Sequence, residues 1–370
     1  MSRVYLDHAS TSPARPGVVD AMVSWLGLAA DPGRVHTEGR MVRAAIEDAR
    51  ESVASLVGVR PRSVIFTSGA TEAINTAVWG ASRLRPSGAV ACAPVEHSAV
   101  RDASERSGEM AVLEVDSSAA IDPASVAALL GSQPVALVHC QWGNHEVGTL
   151  QPVAPIVSLC RDAGVLVHVD AAQAGGRVPL ALDELGADLV SISAHKFGGP
   201  PGIGALIVRR GLRLDPLLVG GSQERARRAG MENVPAIVGF GVAAAAVSGT
   251  LLSEEARARS LTSLLREAAL SVPGVVAYGS ATSRLPHIVC VGVEGVEAEA
   301  VLLGLDQLGI AAHSGSACSS ETLEPSPVLE AMGVDAERSL RLSAGWSTTE
   351  ADVAAFAAAF PRVVARLRAL

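Results

Sequence analysis

Leu189-Val190-Ser191-Ile192-Ser193-Ala194-His195-Lys196-Phe197-Gly198-Gly199-Pro200-Pro201-Gly202 is an apolar run that stops abruptly at a lysine. Its first residues have strand composition, and the Gly/Pro cluster after Phe197 forbids regular structure, so Lys196 is expected at a strand's exit. In an open α/β sheet that is where ligands bind. A lysine there, partly shielded from water, can lose its proton and act as an amine nucleophile toward a carbonyl. Taken singly it could equally be a solvated surface lysine. The residues that surround it must decide.

Outward from this stretch, short apolar runs alternate with helical patterns. Strands are expected at 63–66, 89–92, 111–115, 135–140, 165–169, 189–193 and 205–208, with helices at 71–84, 97–106, 122–130 and 153–163 between them. That alternation predicts βαβ units and an α/β fold whose mostly parallel sheet is sandwiched by helices. Ahead of it lie a strand at 4–6 and helices at 18–28 and 40–57, the second carrying Glu47, Arg50 and Glu51 on what should be its wet face. An alanine-rich helix at 232–246 leads out. A charged helix at 254–270, strands at 288–293 and 340–343, and helices at 298–308 and 351–367 then suggest a smaller α+β domain. The expected division is 15–250 for the large domain and 251–370 for the small one, with residues 1–14 beside the latter.

With 370 residues, 49% of them hydrophobic, the chain can bury a sizeable core. A net charge of -8 and the lack of any Lys/Arg run argue against direct nucleic-acid binding. The N-terminus lacks the apolar stretch of a signal peptide, and no window offers 18 uninterrupted apolar residues, so a cytoplasmic protein without a membrane partner is expected. Five cysteines without any C-x-x-C indicate neither a disulfide framework nor a metal site. Cys92, Cys140, Cys160 and Cys290 sit in apolar runs and read as packing residues. Cys318 lies instead in the polar loop His313-Ser314-Gly315-Ser316-Ala317-Cys318-Ser319-Ser320, as a functional or an incidental thiol.

Three strand-to-helix passages carry chemistry. Thr67-Ser68-Gly69-Ala70-Thr71-Glu72 could cradle a phosphate on a helix N-terminus, or Thr71 could be a plain N-cap. Pro94-Val95-Glu96-His97-Ser98 delivers an imidazole, and His168-Val169-Asp170-Ala171-Ala172-Gln173 puts a carboxylate at the end of an apolar strand, where it needs a cationic partner or caps a helix. One sheet edge would thus display a phosphate-type helix N-terminus, an aromatic ring, a carboxylate and a lysine amine. These are the needs of pyridoxal 5'-phosphate.

With these motifs, and with Tyr5-Leu6-Asp7-His8-Ala9-Ser10-Thr11-Ser12-Pro13 and Arg341-Leu342-Ser343-Ala344-Gly345 at its two ends, the chain resembles the group I cysteine desulfurases (IscS/NifS-like), within the class V aminotransferase branch of fold type I pyridoxal enzymes. The resemblance implies that Lys196 takes the cofactor's aldehyde, Asp170 pairs with its ring nitrogen, His97 stacks on the ring and Gln173 bonds the ring hydroxyl. It implies that Ala70, Thr71, Ser193 and His195 hold the phosphate, that Asn144 and His145 contact the cofactor, and that Arg341 and Asn144 bind substrate. The Cys318 loop resembles the long mobile loop whose cysteine accepts sulfur in that family. L-cysteine as substrate, a sulfur-acceptor protein and a homodimer with active sites at the subunit interface follow by the same resemblance. The alternatives are a class V aminotransferase or a selenocysteine/cysteine-sulfinate lyase that does not use Cys318, and an inactive scaffold in sulfur trafficking. The chain departs from the family pattern at His145, where asparagine is usual, at Met231 in Arg228-Ala229-Gly230-Met231, where threonine is, and more mildly at His8 and Ser10.

Overall fold

A computed structural model describes residues 3–28, 31–314 and 325–369; Cys318 lies outside the described residues. Strand β1 (Val4–Tyr5) and helices α1 (Pro16–Leu26) and α2 (Thr37–Leu56) precede the main alternation. This runs β2 (Val64–Thr67), α3 (Ala70–Leu84), β3 (Ala89–Cys92), α4 (Ser98–Arg106), β4 (Met110–Val112), α5 (Pro123–Ser132) and β5 (Val135–Gln141). It continues through α6 (Val153–Asp162), β6 (Leu166–Asp170), a short α7 (Leu182–Leu185), β7 (Leu189–Ser193) and β8 (Gly204–Val208).

The seven strands lie in the order β2-β8-β7-β6-β5-β3-β4. From β7 through β4 every pairing is parallel, whereas β8 is antiparallel to both of its neighbours. The exception follows from the opening stretch: residues 194–203 are too few, and too rich in Gly and Pro, to build a crossover, so the chain turns straight back. All residues of β5, β7 and β8 are buried, as helices on both faces require.

After α8 (Gln223–Ala226), α9 (Val234–Ser248) and α10 (Leu251–Leu270) come β9 (Val275–Tyr278), β10 (Ile288–Val293), α11 (Ala298–Gln307) and β11 (Ile310–Ala311). The chain ends with α12 (Pro327–Ala331), β12 (Ser339–Ser343) and α13 (Glu350–Arg368). β10 lies between β9 and β12 in an antiparallel sheet, and β1 pairs with β11. Alternation along β10 separates two cores: Val289, Val291 and Val293 pack with Leu261, Leu265, Phe356 and Phe360, while Ile288 and Cys290 join the core of the large sheet. Leu6 packs in the second of these cores. On this clustering we place the division of the two units in the turn between α9 and α10, with the N-terminal residues beside the second unit.

Several local expectations change. His97 and Asp122, expected as the first residues of helices, are N-caps whose side chains accept from Ala99 and Ala124 N–H. Strand β4 ends at Val112, because the chain beyond it turns into a bridge between Val115 and Ile121. Arg50 is not on a wet face: it is 3% exposed and paired with Glu224. Strand β9, short and flanked by Gly274 and Gly279, was not anticipated by periodicity. The four cysteines expected to pack are all buried.

Candidate active site

In-register pairing aligns the ends of three strands. Gln141 sits opposite Asp170, and Asp170 opposite Ser191, at the C-terminal edge of β5, β6 and β7. A cavity of about 410 Å³ opens above this edge, lined by Asp170, Gln173, Ser193, His195 and Lys196. Ala70, Thr71, His97, His145 and Arg341 complete the set of expected residues on its wall.

Asp170 is buried, and its Oδ1 accepts from the Ser191 hydroxyl (2.9 Å) and the Ala172 N–H (3.0 Å). Among the described residues no cation forms an ion pair with it. A buried carboxylate in that position suits a cationic ligand atom. Glu96 lies nearby, fully buried, with Oε1 accepting the Gln141 N–H at 2.6 Å. Burial first, and then the charge of Asp170, push the Glu96 carboxyl up to about 8, so it keeps its proton at neutral pH.

Lys196 lies three residues past β7, in a 3-10 turn (Ala194–Lys196). Its Nζ donates to the carbonyls of Ala9 (2.7 Å) and Ser10 (3.0 Å), which bring the N-terminal segment to the site. Arg177 fixes the lysine's backbone, donating to its carbonyl at 2.5 Å and to the Ser12 hydroxyl at 2.8 Å. His195 accepts or donates at Thr11 (3.2 Å), and burial, aided by the neighbouring Lys196 charge, pulls its imidazole down to about 4.

Helix α3 begins with Gly69 as N-cap and no side-chain cap, so Thr71 is not the plain cap that was its alternative reading. The first amides of a helix have no intrahelical acceptors and favour an anion. Gly204 lets β8 approach this end: a Cβ there would lie 2.6 Å from the Ile192 carbonyl oxygen and 2.8 Å from the Gly69 Cα. His97 caps α4 through Nδ1, which accepts the Ala99 N–H at 3.1 Å, so its ring is fixed on the cavity wall. The His145 ring stands edge-on to it, centroids 5.2 Å apart, with Nε2 3.5 Å from Glu146.

Arg341, in the middle of β12, donates through Nη1 to the His145 carbonyl (2.9 Å) and through Nη2 to Asp7 (3.1 Å) and Ser10 (2.8 Å). Among the described residues its buried Nε–H has no partner, and a guanidinium so placed suits a carboxylate. Asn144 is fully buried and is not among the residues lining the cavity; it donates one N–H to the Val95 carbonyl and accepts the N–H groups of Glu146 and Val147, which holds the turn that presents His145. The roles of Asp7, Ser10, the Ala9 carbonyl and Glu96 were not legible in advance, since each acts on a partner far away in sequence.

The class-V aminotransferase family model matches residues 4–356. The chain belongs to the class-V aminotransferase family. It is 38% identical to the cysteine desulfurase IscS of Dictyoglomus turgidum, over 99% of this chain and 96% of that one. Among solved structures, the NifS-like protein of Rickettsia africae superposes with a TM-score of 0.90 at 29% identity, covering 98% of this chain and 99% of the other. The structure described as SspA in complex with cysteine gives 0.79 at 29% identity, over 92% and 98%. These resemblances span the lysine turn, the α3 N-terminus and Arg341 together, so this family member shares with its relatives the frame on which the cavity is built.

Proposed function

We propose that this enzyme is a cysteine desulfurase that binds pyridoxal 5'-phosphate and L-cysteine in the cavity, releases L-alanine and leaves the sulfur as a persulfide on Cys318. The observation that carries the reading is one cavity walled by a lysine amine, an uncapped helix N-terminus and, among the described residues, a buried carboxylate without a cation and an arginine with an unpartnered Nε–H. The donor set fits the cofactor at each end: anion-binding amides at α3, a carboxylate for a ring nitrogen, and an amine for an aldehyde. Bound there, the cofactor would supply an electron sink that makes the carbon–sulfur bond of cysteine breakable.

The chain's own residues do the rest. Arg341 holds the substrate carboxylate; Ala70, Thr71, Ser193 and His195 hold the phosphate; His97 and His145 wall the ring. Lys196 would hold the cofactor's aldehyde through its amine and, with substrate bound, would take up and move the proton at the substrate's Cα. The thiolate of Cys318 takes the substrate sulfur and passes it to an acceptor protein. We further propose a homodimer in the cytoplasm; Val219 and Met231, 78% and 63% exposed, offer apolar surface for its interface.

Mass spectrometry of the protein after incubation with cysteine tests this reading, with one added sulfur expected on the Cys318 peptide. Cys318→Ala should keep the cofactor's visible absorption and lose alanine production. Undiminished production would favour a lyase or aminotransferase that does not use Cys318. Lys196→Ala should lose both, and purified protein that takes up no pyridoxal phosphate would favour the scaffold reading.

A further inference from the structure

His287 stands immediately before β10, in the second unit, and is fully buried. Its Nε2 lies 3.2 Å from Oε1 of Gln173, and Gln173 Nε2 donates to the Ala9 carbonyl at 2.8 Å. That carbonyl also accepts from Lys196 Nζ, so it can only face an N–H. The amide oxygen must therefore face His287, which donates Nε2–H to it. The imidazole is neutral, because burial and then the surrounding charge of Arg177, His8, Lys196 and Arg341 hold its pKa well below 6.5. A neutral ring protonated at Nε2 has a bare Nδ1, and Nδ1 is the atom left buried without a partner. An orphaned acceptor is the less costly outcome than an orphaned N–H in its place. One N–H of Gln173 remains, and Gln173 lines the cavity.

We infer that His287 is a positioning residue for the cofactor ring: it locks the Gln173 amide so that an N–H, never the carbonyl oxygen, faces the ring hydroxyl. The inference rests on the pyridoxal reading above. It gives the second unit an indirect hold on the cofactor, through Gln173, by a side chain that touches neither cofactor nor substrate. An N–H directed at the ring oxygen stabilises its anionic form; a rotated amide would set two acceptors against each other.

The test uses the full chain, with and without pyridoxal phosphate. His287→Leu removes the donor at similar volume, His287→Asn keeps an N–H, and Gln173→Leu removes the amide itself. Two readouts are taken without substrate: the dissociation constant for pyridoxal phosphate, and the pH midpoint of the visible band of the loaded protein. His287→Leu should weaken cofactor binding about 5-fold, the worth of about one neutral hydrogen bond, and raise the midpoint. His287→Asn should stay within about 2-fold of the parent on the same scale. If Gln173→Leu moves both readouts while folded His287→Leu moves neither, the positioning role is refuted and the cofactor reading stands. If the parent protein binds no pyridoxal phosphate, the cofactor reading itself falls, and this inference with it. Should His287→Leu not fold, the ¹⁵N-histidine spectrum of the parent decides: an Nε2-protonated His287 supports the lock, and an Nδ1-protonated one overturns it.

Discussion

Arg341 shows how one side chain is divided between the protein and its ligand. Three of its five N–H groups are committed, to the His145 carbonyl, Asp7 and Ser10. These contacts hold the guanidinium rigid while Nε–H stays unpaired beside the cavity. A lysine offers three donors on a flexible stem and cannot keep those contacts and bind a carboxylate as well. Arg341→Lys should therefore raise KM for cysteine by roughly 10- to 100-fold, about 1.5–3 kcal/mol of charge-assisted hydrogen bonding, with the cofactor's absorption unchanged. Steady-state kinetics alongside absorbance check both halves of that statement. At this scale Lys196 and Asp170 were legible because each interrupts an apolar strand, and strand ends of such a sheet face the site. The contact of Asn144 with the Val95 carbonyl was not, because the two residues lie 49 apart and local sequence does not reveal such a partner.

The longer elements were legible from periodicity, with most of their ends within a few residues, whereas the short α7, α8, β9, β11 and α12 were not. Charge on a helix was the weak point, as α2 illustrates. Arg50 looks like a solvated residue beside Glu47, yet it spans to Glu224 through Nη1 and Nη2 at 2.7 and 2.8 Å, under an aromatic contact with Phe66. Glu224 also accepts the Phe66 N–H and begins three consecutive left-handed residues, with φ of 47°, 60° and 60° at Glu224, Arg225 and Ala226. Such backbone costs energy at each non-glycine residue and persists only when its surroundings hold it. The α2–α8 pair is thus a clamp on the segment that leads toward Met231. Arg50→Ala leaves a buried carboxylate uncompensated and should cost about 3–5 kcal/mol in denaturant unfolding. Arg50→Met combined with Glu224→Gln, which leaves no buried charge and keeps an acceptor for Phe66, should cost less than the single change.

Over the whole molecule, burial of titratable groups makes stability depend on pH in two opposite senses. His8, pulled down to about 3, and His168 and His195, to about 4, stay neutral in the fold, as do His139 and His287, whose pKa values lie well below 6.5; burial is the first cause in every case. His139 and His168 even share a hydrogen bond across β5 and β6, Nδ1 to Nδ1 at 2.9 Å. Below pH 6.5 the unfolded chain binds protons at these five sites and the folded one does not, so each would remove about 1.4 kcal/mol by pH 5.5. Glu96 acts in reverse. Its folded pKa of about 8 exceeds the unfolded value of 4.5, so its contribution is fully present below 4.5 and is lost as pH rises toward 8. Between pH 4.5 and 6.5 the five histidines outweigh the one carboxyl and stability climbs. Above 6.5 only Glu96 is still titrating among these groups, and about 2 kcal/mol should be lost by pH 8. Unfolding midpoints measured from pH 5 to 8 should therefore peak near neutrality. Glu96→Gln, which preserves the acceptor for the Gln141 N–H, should abolish the alkaline decline while leaving the acid one. Equal declines above pH 6.5 in variant and parent would show that Glu96 is ionised in the fold.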